Sequence, residues 1–524
     1  MFEVFGSTLL TVLSPTVLTY IILGVTLGLI VGLLPGLGGP VGLAVLLPFT
    51  FDMGALEAFA FLLAMLSVTS TASDITAVLF GVPGDSVSAA LVMDGHPMAK
   101  QGRIGVALGA SLSSSLLGAL IGAVALAIAL PFLRPMVLLF GSPELFMLTL
   151  LGITFVASLS QGSLLKGLIA GGLGVALSFV GMDGRTGVAR YTFDQLALWD
   201  GVGLVAVAVG LFAIPELVDL AVSGGSIGES AGRKSGEKED PNAVTADAHD
   251  SADAAPAVIT SRWGVYAEVL EGARATLRHK ALMVRCSLIG VFVGIMPGLG
   301  GSVAQWVAYA HSVQSSKDQH EFGTGRIEGI IGPGAANNSK EGGSLIPTVA
   351  FGIPGSVTMA VLLGAFLIKG VTPGPSMVGS NLDLTVSFIW IIAIANVFAV
   401  AAALASIGLI ARIAQVRASL LIGSIALLVL VGAYAEKTSI LDLWIVLFFG
   451  LLGLIMHILK WPRPPLLLGL VLGALMENYL FISRSRYDWA WLSRPLVLVI
   501  GALAVVGSLY PFLQARRQRR LASV

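Results

Sequence analysis

Long apolar runs separated by short polar stretches set the rhythm of this chain. They cover residues 106–133, 145–159, 202–214, 386–410, 420–434, 440–458, 465–476 and 496–512. Several approach or exceed the roughly 20 residues that a helix needs to cross a bilayer core of about 30 Å. Only helices and closed barrels satisfy every backbone group in lipid. The runs are continuous instead of alternating residue by residue, which predicts helices and argues against a barrel. The expected fold class is an all-α polytopic membrane protein with about 10–12 transmembrane helices.

Composition strengthens this picture. Of 524 residues, 56% are hydrophobic and 11% charged, against about 25% charged in ordinary soluble domains. Mean hydropathy is +0.91. A soluble fold of this length would lack the charged residues to make a polar skin, so apolar surface must face lipid. Lys plus Arg and Asp plus Glu both number 30, and a neutral chain gives no electrostatic case for a nucleic-acid partner. Cys286 is the single cysteine, which excludes an intrachain disulfide and a cysteine-based metal cluster. The apolar N-terminus has Glu3 as its one early charge and no basic region. It reads as the lead-in to a first membrane helix, not as a signal peptide.

One segment breaks the rhythm. Residues 223–262 are rich in Gly, Ser, Ala, Asp and Glu and read as a solvated polar linker. The linker divides the chain into a first membrane half, 1–222, and a second, 263–524. The halves share two blocks in the same order. Gly32-Leu33-Leu34-Pro35-Gly36-Leu37-Gly38-Gly39 is matched by Gly294-Ile295-Met296-Pro297-Gly298-Leu299-Gly300-Gly301, 262 residues later. Phe80-Gly81-Val82-Pro83-Gly84 is matched by Phe351-Gly352-Ile353-Pro354-Gly355, 271 residues later. Two ordered matches at nearly one spacing indicate an internal duplication. No Lys or Arg precedes the first block, whereas Arg274, Arg278, Lys280 and Arg285 stand just before the second. The excess of Lys and Arg in cytoplasmic segments then predicts that the repeats are inverted, with the basic C-terminus in the cytoplasm.

Each half carries a polar stretch before its second block: Ser67, Thr69, Ser70, Ser73 and Asp74 in one, and Asn337, Asn338, Ser339, Lys340, Glu341 and Ser344 in the other. Helix breaks at membrane depth leave N–H and C=O groups that only a cavity or protein neighbours can satisfy. Paired broken or re-entrant segments in two repeats point to a transporter binding site. The expected substrate- and ion-binding set is therefore Pro35, Gly36, Gly38, Gly39, Pro83, Gly84, Pro297, Gly298, Gly300, Gly301, Pro354 and Gly355 together with the polar residues just named. Pro83-Gly84 and Pro354-Gly355 are expected to start half-helices whose positive ends face a carboxylate. Na⁺ is expected near Asp74 and Asn338, with no firmly assigned metal site. Lys340 and Glu341 pair with each other, or Lys340 meets a substrate carboxylate. Asp85 and Asp94-Gly95-His96 are expected near an aqueous mouth, with His96 a surface or capping residue. His311 and His320 are expected in a solvated loop, and Arg326 and Glu328 paired.

The chain has no phosphate-binding Gly-x-x-x-x-Gly-Lys-Ser/Thr loop, no Gly-x-Ser-x-Gly elbow and no His-Glu-x-x-His, so neither an ATPase nor another enzyme is expected. The blocks at 35–39 and 297–301, the run Asp94-Gly95-His96-Pro97-Met98-Ala99-Lys100-Gln101-Gly102, and residues 328–338 leading to 351–355 resemble the large membrane subunit of the tripartite tricarboxylate transporters, the TctA family. The resemblance covers nearly the whole chain. It implies a bacterial inner-membrane protein that takes up citrate-like or other small carboxylates with Na⁺ or H⁺. It also implies two partners: a small TctB-like membrane subunit and a TctC-like extracytoplasmic solute-binding protein. A carboxylate-selective channel, or a carrier without a binding protein, is the alternative.

Overall fold

The computed structural model describes residues 2–34, 38–81, 83–159, 164–183, 186–223, 262–297, 300–413 and 418–506. Most of the 223–262 segment lies outside them. Among the described residues the one strand pair joins Gly181–Met182 to Ala189–Arg190, and nearly everything else is helix. The first half runs α1 (Phe2–Val12), α2 (Pro15–Leu33), α3 (Gly39–Leu46), α4 (Ala55–Phe80), α5 (Ala89–Lys100), α6 (Ile104–Leu138), α7 (Ser142–Leu159), α8 (Leu164–Ser178) and α9 (Leu204–Ser223). The second runs α10 (Arg262–Arg278), α11 (Lys280–Ile295), α12 (Gly300–Ser315), α13 (Glu328–Phe351), α14 (Val357–Ile368), α15 (Leu382–Ile413), α16 (Ala418–Lys437), α17 (Ile440–Ile458), α18 (Pro464–Tyr487) and α19 (Pro495–Val506).

The architecture is all-α and polytopic. Six helices among the described residues are long and apolar enough to cross a membrane: Pro15–Leu33, Ala55–Phe80, Ile104–Val137, Leu382–Ser406, Ile440–Ile458 and Pro464–Tyr487. Seven further apolar helices among the described residues are shorter, with 10–17 residues each. The breaks cut apolar stretches into shorter helices such as Gly39–Thr50 and Val357–Ile368, and α13 carries too many polar residues to qualify by composition.

The duplication is visible in the element order. Each half places a helix (α2 or α11), a Gly/Pro break, a short helix (α3 or α12), a long buried helix with polar residues (α4 or α13), a second break, a short helix (α5 or α14) and a long apolar helix (α6 or α15). The second breaks match closely. Gly81 caps α4 at φ 66°, ψ 15°, and Gly352 caps α13 at φ 69°, ψ 19°. This left-handed conformation ends a helix without Cβ strain. In both halves the first helix lies along the long buried one, in backbone contact: Gly24, Gly28 and Gly32 of α2 meet Phe61, Met65 and Thr69, while Gly290 and Gly294 of α11 meet Ala336 and Lys340. Small residues permit such approach between membrane helices.

The two repeats run in opposite directions. The end of α4 (Ala72, Ile75, Val78) clusters with the beginnings of α13 (Ile330, Ile331, Ala335) and α6 (Ile104, Ala107). The beginning of α4 (Phe59, Leu62, Leu63) clusters instead with the end of α13 (Leu345, Val349) and the later turns of α6 (Leu126, Leu130). Contacts between the halves obey the same two-fold relation. Gly39 lies against Thr358, and Gly301 against Val87, which are equivalent pairs at the repeat spacings. The repeats thus interlock: α13 packs along α6 of the other half, and α4 along α15.

Candidate functional site

Two long helices bury polar side chains where the repeats cross. Residues Ala58 through Val78 of α4 are buried, as are Gly329 through Ala350 of α13. No lipid-facing helix could carry Asp74, Asn337, Asn338, Lys340 and Glu341 at this depth without partners, and the fold supplies them from four other elements.

Asp74 is the centre. Its side chain is fully buried. Oδ1 accepts hydrogen bonds from Ser88 Oγ at 2.6 Å, Asn337 Nδ2 at 2.9 Å and Gln305 Nε2 at 3.3 Å, and Oδ2 accepts from Asn337 Nδ2 at 3.0 Å. Every one of these donors is neutral. Asn337 also donates to the Ser70 carbonyl at 3.2 Å. One residue along, Asn338 Nδ2 donates to Thr71 Oγ1 at 2.8 Å and to Asn396 Oδ1 at 2.7 Å, and Thr71 meets Ser115 at 3.1 Å. The network therefore joins α4, α6, α12, α13, α15 and the turn before α5.

Lys340 and Glu341 form a buried ion pair, and the Lys340 stem lies on Gly301 at the start of α12. Asp74, Lys340 and Glu341 together sum to one negative charge. Four buried oxygens of the network and the ion pair accept no hydrogen bond: Asn337 Oδ1, Asn338 Oδ1, Gln305 Oε1 and Glu341 Oε2. An amide acceptor buried without a donor costs about 1–3 kcal/mol. Unpaired amide acceptors on Asn337 and Gln305, the residues that bond Asp74, together with one excess negative charge give chemistry that a small monovalent cation could complement.

The breaks surround this cluster. A Cβ on Gly84 would stand 2.5 Å from the Gly32 carbonyl, and Gly355 meets the Gly294 carbonyl in the same way. Ser73 Oγ accepts from the Asp85 N–H at 2.6 Å, and Gly38 abuts the Asp85 carboxylate. Gly39 opens α3, Gly300 opens α12, and Pro297 and Pro354 lie in the breaks. Pro35, Gly36 and Gly298 fall outside the described residues. Ser67 is buried one turn before Ser70.

Several expected site residues donate within their own helices. Thr69 donates to the Met65 carbonyl, Ser344 to the Lys340 carbonyl and Ser339 to the Ala336 carbonyl, and Ser339 packs on Gly290. Pro83 and Pro354 do not begin half-helices. A 3₁₀ turn, Ser86–Ser88, precedes α5, and Ser356 caps α14 by accepting from the Met359 N–H at 3.2 Å; the chain is extended through the cap residues Asp85 and Ser356. Asp94 is wholly buried, directly under a loop of the other half at one end of the bundle. His96 is half-buried with Nδ1 3.3 Å from the Val78 carbonyl. His311 lies on α12 and not in a loop. Arg326 pairs with Glu328 at 3.0 Å. Among the described residues, no three His, Cys, Asp or Glu side chains gather to hold a metal ion.

The network also contains residues that the sequence did not single out: Ser88, Gln305, Asn396 and Ser115. Asn396 was detectable in principle as a lone amide within the apolar run 386–410. Gln305 and Ser88 carry no local signal. Equally informative is what the repeat places opposite the site. At the repeat spacings Asp74, Asn337, Gln305 and Ser88 correspond to Leu345, Leu66, Leu43 and Met359, and all four belong to the apolar core. The backbone is two-fold; the chemistry is one-sided.

Comparison with known proteins bears on nearly the whole chain. The profile described as "Tripartite tricarboxylate transporter TctA family" matches residues 18–468. An uncharacterized 52.8 kDa protein in the TAR-I ttuC' 3' region of Agrobacterium vitis is 31% identical over 516 residues, 97% of this chain and 96% of its own length. An uncharacterized protein in the TAR-II ttuC' 3' region of the same organism is 32% identical over 237 residues, 44% of this chain and 98% of its own. No solved structure matches the chain.

Proposed function

The chain belongs to the tripartite tricarboxylate transporter TctA family, and from this we propose that it is the translocating membrane subunit that carries a citrate-like or other small carboxylate across the bacterial inner membrane by symport with Na⁺ or H⁺. The observation that carries the reading is the Asp74 cluster: one excess negative charge, neutral donors and unpaired buried acceptors, enclosed by paired helix breaks. A cation at Asp74 neutralises the site. Lys340, while still paired with Glu341, then offers a remaining N–H of its ammonium to a substrate carboxylate, supported by the N-terminal ends of α12 and α14. Coupling follows if the site holding both cation and substrate and the empty site, with its one excess negative charge, favour different conformations.

A small TctB-like subunit and a TctC-like binding protein complete the proposed system, and the binding protein delivers substrate from outside. Lys100, Arg103, Arg278, Lys280 and Lys317 stand at the end of the bundle where α6, α11 and α13 begin, and the excess of positive residues assigns that end to the cytoplasm.

The test is uptake of labelled citrate and other carboxylates into proteoliposomes holding this chain and its small partner, with and without a Na⁺ or H⁺ gradient and the binding protein. Uptake that requires both supports the reading. Flux indifferent to gradients indicates a channel, and gradient-driven uptake without a binding protein a stand-alone carrier. In the same assay Asn338→Ala, which removes the bonds to Thr71 and Asn396, is expected to reduce uptake about tenfold, equivalent to roughly 1.4 kcal/mol, with normal amounts of protein in the membrane. Unchanged uptake would remove Asn338 from the site.

A further inference from the structure

The two ends of the bundle are tied by contacts in equivalent places that use opposite chemistry. At one end, Asp94 of α5 reaches the loop before α13. Its Oδ1 accepts from the backbone N–H groups of Gly323 at 2.8 Å, Gly325 at 3.0 Å and Arg326 at 2.8 Å, and its Oδ2 accepts from Tyr309 at 2.9 Å. Gln101 Nε2, just past the end of α5, adds a bond to the Thr324 carbonyl at 2.6 Å. At the other end, Lys369 at the C-terminal end of α14 reaches the loop before α4. Its ammonium donates to the carbonyls of Phe51 at 3.0 Å and Met53 at 2.7 Å.

The equivalence is close. Lys369 lies 271 residues after Met98, one turn beyond Asp94, and Phe51 and Met53 lie 271 before Phe322 and Thr324. In both places a short helix from one repeat holds the loop that leads into the polar helix of the other. One side chain gathers N–H groups and the other gathers carbonyls. Because the repeats are inverted, the ties sit at opposite faces.

We propose that these ties are the two gates of the protein, and that each releases in turn to let the Asp74 cluster communicate with one face; this rests on the transport reading above. The gates are unequal. Asp94 is fully buried and accepts four bonds, whereas Lys369 is half-buried and makes two. The Lys369 face therefore opens more readily. By the distribution of basic residues that face is the outer one, which leaves the resting protein ready to take substrate from outside.

The test reads the gates by access to the site, independently of uptake. With Cys286→Ala removing the native thiol, a Ser70→Cys reporter is exposed to a membrane-impermeant thiol reagent from either side of oriented vesicles. The unmodified gates should allow slow labelling, faster from the Lys369 face. Lys369→Met should raise labelling from that face about tenfold, and Asp94→Asn should raise it from the opposite face. Should Asp94→Asn fail to fold, Tyr309→Phe removes one bond and leaves the carboxylate, and a cleavable cross-link between Gln101→Cys and Thr324→Cys should block labelling from the Asp94 face until it is cleaved. Labelling that none of these changes alters in sidedness overturns the proposal. Gates that behave as described in a protein without carboxylate uptake would leave the gates standing and remove the transport reading.

Discussion

Proteoliposomes carrying Asp74→Asn are expected to lose gradient-driven uptake by about a hundredfold, equivalent to roughly 3 kcal/mol, while the variant melts no lower than the parent protein. The two halves of this expectation have a common cause. A buried carboxylate with neutral donors is costly, because taking a charge out of water costs several kcal/mol that only a counter-charge or strong hydrogen bonds offset. Asn has the same shape and keeps an oxygen for Ser88 and Gln305, so the helices still meet. It cannot attract a cation, so the driving force is lost. A thermal shift in detergent, measured beside uptake, separates the roles. If Asp74 only braces the crossing of α4 and α13, the melting temperature falls and residual transport tracks the amount of folded protein.

The second large effect is expected at the seam between α6 and α13. Gly118 faces the backbone of Ala335, Gly122 that of Ser339, and Gly342 returns the contact onto Gly122. The atoms met there belong to the main chain, which cannot swing aside as a side chain can. Gly122→Leu or Gly342→Val should therefore force apart the helices that carry Ser115, Asn337 and Asn338, at a cost of about 3 kcal/mol or more. Loss of a monodisperse species in detergent would show it. Gly172→Val supplies the comparison: nothing lies within 4 Å of a Cβ there, and the protein should be unaffected. Equal tolerance at Gly342 would mean that the seam is looser than its backbone contacts require.

How much of this was legible beforehand depended on whether the signal was local. The duplicated Gly/Pro blocks are punctuation that the backbone must obey, so the paired breaks, the polar helices and the opposed repeats all followed from reading along the chain. Asp74, Asn337 and Asn338 stood out because polar residues at such depth need a reason. The serines and threonines did not sort themselves. A hydroxyl that bonds its own preceding turn, as Thr69 and Ser344 do, has the same sequence signature as one that lines a site. The partners of Asp94 were hidden for the converse reason: they are the N–H groups of Gly323, Gly325 and Arg326, some 229–232 residues away in the chain, and backbone donors leave no mark in a sequence. Gln305 came into view only when α12 was seen to cross the start of the α5 segment.

Under the proposed symport, the apolar counterpart of the site bears on how an ion gradient would be kept from running down. A transporter that let its ion slip through alone would dissipate energy with no cargo moved. Here Leu345, Leu66, Leu43 and Met359 occupy the place where a second polar station would stand. An ion held at Asp74 as proposed would meet only apolar side chains at these four counterpart positions, and stepping into that hydrocarbon would cost many times the thermal energy. In that reading the route across is insulated on one side by ordinary core packing, and the ion would leave only when the surrounding protein moves.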